Sequence, residues 1–261
     1  MGLFISINSM KFQLLSDLHL RNGAYVVRPA AGATILLLAG DVDNACERRF
    51  RDFLVAVAAV PQYRHIVLIR GNHEAFGSSL EETDRIIHDL AAVVPKLVFL
   101  NRSCFDVPGT DVRIAGCTLW SRVSDAQQRR VAAEIGDFQS HGIREWSLDR
   151  RHDEHARDVD FIAGATAGAE ADGRRVLLLT HHAPILNVAN GPSHEHGPYT
   201  SSYQCDLAHR LVPPVAVAAF GHTHFSMDTR LPNGVRLVSN QRGRKDDVDN
   251  VAFRDDFTFE T

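Results

Sequence analysis

Five short apolar runs in this chain end in the same way, and that repetition limits the possible folds more than any other feature. Residues 12–15 lead into Ser16-Asp17-Leu18-His19, and 34–39 into Gly40-Asp41. Residues 65–70 lead into Gly71-Asn72-His73-Glu74, 175–180 into His181-His182, and 215–220 into Gly221-His222-Thr223-His224. The runs are nearly continuous in apolar residues rather than alternating, which suits strands buried on both faces. Each stops at a residue able to bind a metal, usually beside a glycine. In layered α/β folds ligand sites form beyond the carboxyl ends of the strands, so these five ends are expected to converge.

Segments with helical spacing lie between the runs. Residues 47–60 carry Phe50, Phe53, Leu54 and Val57 and stop before Pro61. Residues 80–94 carry Ile86, Ile87, Leu90 and Val94 and stop before Pro95; a proline ends a helix at the residue preceding it. Residues 148–166 and, briefly, 206–212 are read as two more helices. Further strands are expected at 97–100, 112–119, 227–231 and 235–239, the last two around Asn233-Gly234, a strong hairpin-turn signal. No repeat or low-complexity linker interrupts the chain. The expectation is one α/β domain over residues 1–261 with two β-layers. Residues 1–10 would be an extended or disordered start, and segments 121–147 and 184–206 irregular insertions.

Composition removes several classes of function. The 261 residues carry 28 Lys and Arg against 32 Asp and Glu, a net charge of −4, and 44% are hydrophobic, as in an ordinary globular protein. A protein that coats nucleic acid depends on many cationic contacts to phosphate, so nucleic acid is not the expected partner. Neither is a membrane, because no apolar run approaches the about 18 residues of a span. The first ten residues lack the basic region and cleavage site of a secretory signal, though Gly2 and Ser6 fit a loose acylation pattern. Cys46, Cys104, Cys117 and Cys205 are scattered without a C-x-x-C pair and are read as reduced thiols of a cytoplasmic protein. The 14 histidines, many in close pairs, point to metal.

Asp, Asn and His at neighbouring strand ends offer oxygen and nitrogen donors and no thiolate. Such donors suit Mn, Fe, Zn or a similar ion rather than a cysteine-rich structural zinc site. Seven donors exceed what one ion takes, and two ions sharing a carboxylate fit the number better. Such a pair, about 3.5–4 Å apart, activates a hydroxide and stabilises both entering and leaving oxygens at phosphorus. The blocks D-x-H (Asp17, His19), G-D (Gly40, Asp41), G-N-H-E (Gly71 to Glu74), H-H (His181, His182) and G-H-T-H (Gly221 to His224), in this order and spacing, resemble the calcineurin-like metallophosphoesterase superfamily. The likeness covers the chain from residue 12 to about 225. Ser239-Asn240-Gln241-Arg242-Gly243 also resembles the N-P-R-G tail of a bacterial branch of small single-domain members, with Gln241 in the proline's place. Residues 202–207 resemble the S-D-L element of that branch.

The resemblance implies a four-layer αββα sandwich, two mixed β-sheets flanked by helices. It implies one metal on Asp17, His19, Asp41 and His224 and a second on Asp41, Asn72, His181 and His222, with Asp41 bridging. The ions would be two divalent or trivalent metals such as manganese, iron or zinc. His73 matches the family histidine that contacts the scissile phosphate and is proposed to protonate the leaving oxygen, so His73 and Asp41 are the candidate catalytic residues. The implied activity is a metal-dependent phosphoesterase, with in-line attack by a metal-bridging hydroxide and an imidazolium assisting departure.

The protein-phosphatase branch carries arginines just after its G-D and G-N-H-E blocks. Here Asp41 is followed by Val-Asp-Asn-Ala and Glu74 by Ala-Phe-Gly. That departs from the protein-phosphatase pattern, and a compact catalytic domain with modest loop insertions points to a small phosphodiester or nucleotide as the expected substrate. A phosphomonoesterase acting on a small metabolite is the alternative within the same class, and a catalytically inactive metal-binding interaction scaffold is the alternative outside it. His182, His194, His196 and Arg242 are the candidate substrate contacts. Bland readings exist for single residues: Asp17 and Asp41 as helix caps, Asn72 in a turn, His182 as a structural hydrogen-bonder. Glu74 would orient His73 or cap a helix, His152 and His155 would decorate a helix face, and Arg242 would be a surface cation.

Overall fold

The apolar runs become strands whose side chains alternate between two buried faces, as a strand's two-residue period requires. In β1 (Lys11–Leu15), β2 (Ile35–Leu38) and β3 (His65–Ile69), Phe12, Leu14, Ile35, Leu37, Val67 and Ile69 point into one apolar cluster. Their neighbours Leu15, Leu36, Leu38, Ile66 and Leu68 point into another. The second cluster is closed by α1 (Arg48–Ala58) and α2 (Leu80–Val93), which contribute Phe50, Phe53, Leu54 and Val57 from one helix and Ile87 and Leu90 from the other. A side chain of this size contributes about 1.5–3 kcal/mol when fully buried, so neither face could be left to water.

The same alternation governs the second sheet. In β7 (Arg175–Thr180) and β8 (Val215–Phe220), Leu177, Leu179, Val217 and Ala219 face the first sheet across the shared cluster. Val176, Leu178, Ala218 and Phe220 face outward onto Ile162 and Ala169 of α4 (Leu148–Ala171). Three apolar layers between four structural layers make an αββα sandwich.

The remaining elements are β4 (Leu97–Leu100), β5 (Ser103–Asp106), β6 (Val112–Cys117), α3 (Gln128–Glu134), β9 (Met227–Arg230), β10 (Arg236–Ser239) and β11 (Thr258–Glu260). One sheet runs β11-β1-β2-β3-β4 and the other β5-β6-β7-β8-β10-β9. Both are mixed: β11, β5 and β9 are antiparallel edge strands on otherwise parallel sheets. The computed structural model describes residues 10–187, 191, 197–244, 247 and 252–261. The expectations for the first nine residues, the acylation pattern among them, and for His194 and His196 lie outside the described residues. Among the described residues no helix is long and apolar enough to cross a membrane.

Some expectations shift. The helix expected at 206–212 is a single 3-10 turn, Ala208–Arg210, whereas α4 continues to Ala171. Segment 121–147 is not wholly irregular, since it holds α3 and a 3-10 turn at Gly136–Phe138. The strands β5 and β11 are not expected from the sequence, because β5 has no fully buried residue and β11 only Phe259.

Candidate metal centre

All five expected strand ends meet at one edge of the sandwich, held there by bonds between the loops. The Asp17 amide donates to Gly40 O (3.1 Å), the His19 amide to Asp41 O (3.0 Å) and the Gly221 amide to His181 O (3.0 Å). The His222 amide donates to the Asp17 carboxylate (3.0 Å) and the His73 amide to Asp41 Oδ1 (2.9 Å). Asp17, His19, Asp41, His222 and His224 all have positive φ, between 42° and 72°. A non-glycine residue there costs about 1–3 kcal/mol and persists only when its surroundings hold it; five such residues in one place mark a built site. The glycines leave room for it. At Gly221 a Cβ would run into Ser16 Oγ and come within 2.6 Å of Asp17 Oδ2.

The side chains form two donor groups that share one carboxylate. His224 Nε2 lies 3.3 Å from Asp17 Oδ1 and 3.0 Å from His19 Nε2, and His19 Nε2 lies 3.8 Å from Asp41 Oδ2. On the other side, His181 Nε2 lies 3.4 Å from Asp41 Oδ1, 3.1 Å from Asn72 Oδ1 and 3.1 Å from His222 Nδ1. Asp41 thus has one oxygen in each group.

The donor chemistry fits cations. Two pairs of imidazole nitrogens face one another at about 3 Å, where at least one nitrogen of each pair must carry a proton or share a cation. Donors about 2.0–2.2 Å from a common ion stand about 3.0–3.4 Å apart in octahedral or tetrahedral geometry, the spacing of most of these pairs, while His19 stands wider, 3.8 Å from Asp41 and 4.0 Å from Asp17. Asp17, His19 and His224 could hold one ion and Asp41, His181 and His222 another, with Asn72 Oδ1 beside His181 in the second group and Asp41 within reach of both.

Electrostatics point the same way. Burial disfavours the Asp17 and Asp41 carboxylates, but His224 beside Asp17 brings it down to about 2 and the imidazoles around Asp41 hold it well below the usual range. Burial likewise opposes charge on His181 and His224, yet the facing carboxylates raise them to about 9 and about 10. Burial pushes His19 and His222 down from the usual histidine range. A centre that draws protons onto two deeply buried imidazoles is one where positive charge is strongly favoured.

Glu74 is not one of the donors. Oε2 accepts the amides of Asp41 (3.0 Å) and Gly71 (2.8 Å), and Oε1 accepts that of Val42 (2.7 Å). It pins the Asp41 loop to the Gly71 loop. Burial and the Asp41 charge push its carboxyl up to about 8, against the pull of those amides.

His73 stands beside the first group, Nε2 3.8 Å from Asp41 Oδ2. Its Nδ1 lies 2.6 Å from Arg21 Nη2. A guanidinium has no acceptor, so Nδ1 accepts and Nε2 carries the ring's proton. Burial brings this histidine down to about 3 despite Asp41. In the metal-free protein the ring is thus held neutral, with its N–H toward Asp41.

The two described candidates for substrate contact, Arg242 and His182, stand beside the donor groups. Arg242 donates to Leu18 O (3.0 Å) and Gly23 O (2.9 Å) and lies over Tyr25, bracing the loop behind Asp17 and His19. His182 is fully buried, and its Nε2 takes Arg151 Nη2 at 3.1 Å.

Sequence reasoning missed Arg21, Asp137, Arg151 and Asp247. Asp247 Oδ2 accepts from His224 Nδ1 at 2.6 Å, and nothing in its acidic surroundings singles it out. Arg151 did leave a signal: with Glu154, Asp158 and Ile162 it is one of the buried residues of α4, a charged stripe at helical spacing continuing into an apolar one.

Known proteins share this architecture. A solved phosphopantetheinyl hydrolase from Mycobacterium tuberculosis superposes with a TM-score of 0.67 at 16% identity, over 91% of each chain. A dimetal phosphatase from Danio rerio superposes with a TM-score of 0.52 at 12% identity, over 89% of this chain and 87% of that one. An uncharacterised protein of Acanthamoeba polyphaga mimivirus is 22% identical over 225 residues, 80% of this chain and 78% of its own. The sequence pattern of the calcineurin-like phosphoesterases matches residues 10–226, a stretch that contains every donor of both groups, and the chain belongs to that family.

Proposed function

We propose that the protein hydrolyses a small phosphodiester or nucleotide with the help of two metal ions. The observation that carries this reading is the split of the Asp41 carboxylate, with Oδ2 toward His19 and Oδ1 toward His181. In it, Asp17, His19, Asp41 and His224 hold one ion and Asp41, Asn72, His181 and His222 the other. Bound there, the ions would supply Lewis acidity to a phosphoryl oxygen and lower the pKa of a water for in-line attack.

The chain's own groups do the rest. Glu74 keeps the Asp41 and Asn72 loops in register through its three amide bonds, so the donors need not reorganise as charge develops. His73 presents its Nε2–H to the oxygen that carries the departing charge. Arg21 fixes that tautomer through Nδ1. At the mouth, its guanidinium also favours an anionic substrate.

That cation is the observation favouring a second reading, a phosphomonoesterase, since a monoester dianion gains more from it than a diester monoanion. The named structural neighbours include both a phosphopantetheinyl hydrolase and a phosphatase, and the fold they share is compatible with either.

The deciding experiment gives manganese-loaded protein the bis- and mono-esters of p-nitrophenyl phosphate, with Asp41→Ala as the blank. Diester turnover above monoester turnover and absent from the blank is expected. The reverse ratio favours the monoesterase, and no turnover of either by protein carrying both ions favours the scaffold.

A further inference from the structure

A buried guanidinium outside the donor groups reaches two members of one group and none of the other. Arg151 projects from α4 and is 1% exposed. Its Nη1 donates to Asp137 Oδ2 at 2.9 Å, and Asp137 Oδ1 accepts from Asn72 Nδ2 at 2.7 Å. With its NH2 held there, the Asn72 amide can only turn its oxygen toward His181 Nε2. The other arm, Nη2, shares its two N–H groups among His182 Nε2 (3.1 Å), Ser121 Oγ (2.9 Å) and Ser202 O (2.6 Å), while Nε donates to Ser121 O (3.1 Å). The His182 ring lies against that of His222, centroids 4.0 Å apart and planes at 36°. A planar fork with donors on both edges can hold a carboxylate and an imidazole at once, which a lysine cannot.

We infer that Arg151 is a positioning residue for one half of the centre alone. Through Asp137 it orients the oxygen of Asn72, and through His182 it seats the ring of His222. It has no bond to Asp17, His19 or His224. Those are braced from elsewhere, by Asp247 on His224 Nδ1 and by Arg242 behind the loop that carries Asp17 and His19. The inference rests on the two-ion reading of the preceding section. It makes segment 121–147 and α4 part of the site, since Asp137 and Arg151 lie in them and serve a donor whose own loop follows β3.

The test is a manganese titration of the metal-free chain, read by bound metal per chain and by the magnetic coupling of the ion pair. Wild-type protein is expected to bind two ions; fewer than two overturns the two-ion reading itself, before any variant is compared. In Asp137→Asn one ion should keep its wild-type affinity and the other weaken about 10–100-fold, the range for partners that orient a metal ligand. Asn72→Ala should weaken the same ion, and Asp137→Asn should add little in that background, because the path already ends at Asn72. Asp247→Asn should weaken the opposite ion. Removing one member of a buried ion pair can prevent folding, so Arg151→Met with Asp137→Leu, which leaves no buried charge unpaired, is the second variant. It should fold and show the same one-sided loss. Equal weakening of both ions, or unchanged binding of both, in either variant overturns the inference.

Discussion

Gly71→Ala adds one methyl group where three of the motifs meet, and the structure says what that group would strike. A Cβ at residue 71 would lie 2.7 Å from the Asp41 nitrogen and 2.8 Å from His181 Cε1, and would run into Asp41 Oδ1. Neither neighbour can easily yield. The Asp41 amide is bonded to Glu74 Oε2 and its backbone is left-handed at φ 54°, while His181 Nδ1 is tied to Ala39 O at 2.8 Å. The backbone at Gly71 is not itself left-handed, so the penalty is one of contact and not of conformation. Overpacking of this kind costs about 1–3 kcal/mol. For a chain of this size that lowers the melting temperature by about 2–12 °C. The effect on metal should be proportionally larger, because donor distances tolerate only about ±0.2 Å and the displaced atom is the one reaching toward His181. Manganese affinity is expected to fall about 10–100-fold, and turnover with it. A thermal melt and a manganese titration of the same sample provide the check. A variant that melts within about a degree of wild type and binds manganese equally well would refute the claim that Gly71 is needed to seat Asp41.

The same substitution at Gly164 should have the opposite sign. That residue lies within α4, a Cβ there meets no heavy atom within 4 Å, and alanine favours a helix by about 0.5–1 kcal/mol, so the melting temperature should rise by about 1–4 °C with metal binding unchanged. A third expectation concerns pH. In metal-free protein the carboxylates hold His181 at about 9 and His224 at about 10, both above the unfolded histidine value. The stability they contribute is therefore fully present below about pH 6.5 and is lost as pH rises through 9 and 10; melts of chelator-treated protein from pH 6 to 10 should fall across that window. Metal needs the neutral imidazoles, so binding at neutral pH should release protons and tighten between pH 6 and 8. Titration calorimetry in buffers of different ionisation enthalpy counts those protons, and a count of zero would contradict the raised values.

Much of the fold could be read from the chain because its central strands are buried on both faces. Continuous runs such as 35–38 and 175–180 can hardly be anything but interior strands, and the ligand-type residue after each told where the sheet edge would face. What escaped notice carries little apolar signal. β11 has only Phe259 facing the core, and α3 only Val131. The site divides in the same way. Its donors follow strands and were visible by position, but the residues that hold them are polar groups in irregular segments. Asp137 sits in a 3-10 turn, and its partner in space is 65 residues away, a separation that no local pattern reports. His182, next to His181 in the chain, has its ring turned nearly perpendicular to that of its neighbour, at 86°, and meets His222 and Arg151, contacts that adjacency alone does not report.

The supports of the centre come from different parts of the chain, one set for each half. Behind Asp17 and His224 stands the segment after β10. Asn240 Nδ2 donates to Leu14 O (2.7 Å), Gln241 Oε1 accepts the His224 amide (2.6 Å), and Arg242 holds the loop after Asp17. Behind Asn72 and His222 stand segment 121–147 and α4, through Asp137 and Arg151. Asp41 belongs to both halves, and Glu74 ties its backbone to Gly71 on one side while the His19 amide ties its carbonyl on the other. The Asp41 loop, buried and left-handed at Asp41, is thus shared by the two halves while each keeps its own outer support. That arrangement explains why so short a block as G-D can anchor the centre: Gly40 supplies the turn, at φ 85°, in a space where a Cβ would press on His181 Nδ1 at 2.6 Å, and the residue after it is the one carboxylate that both donor groups share.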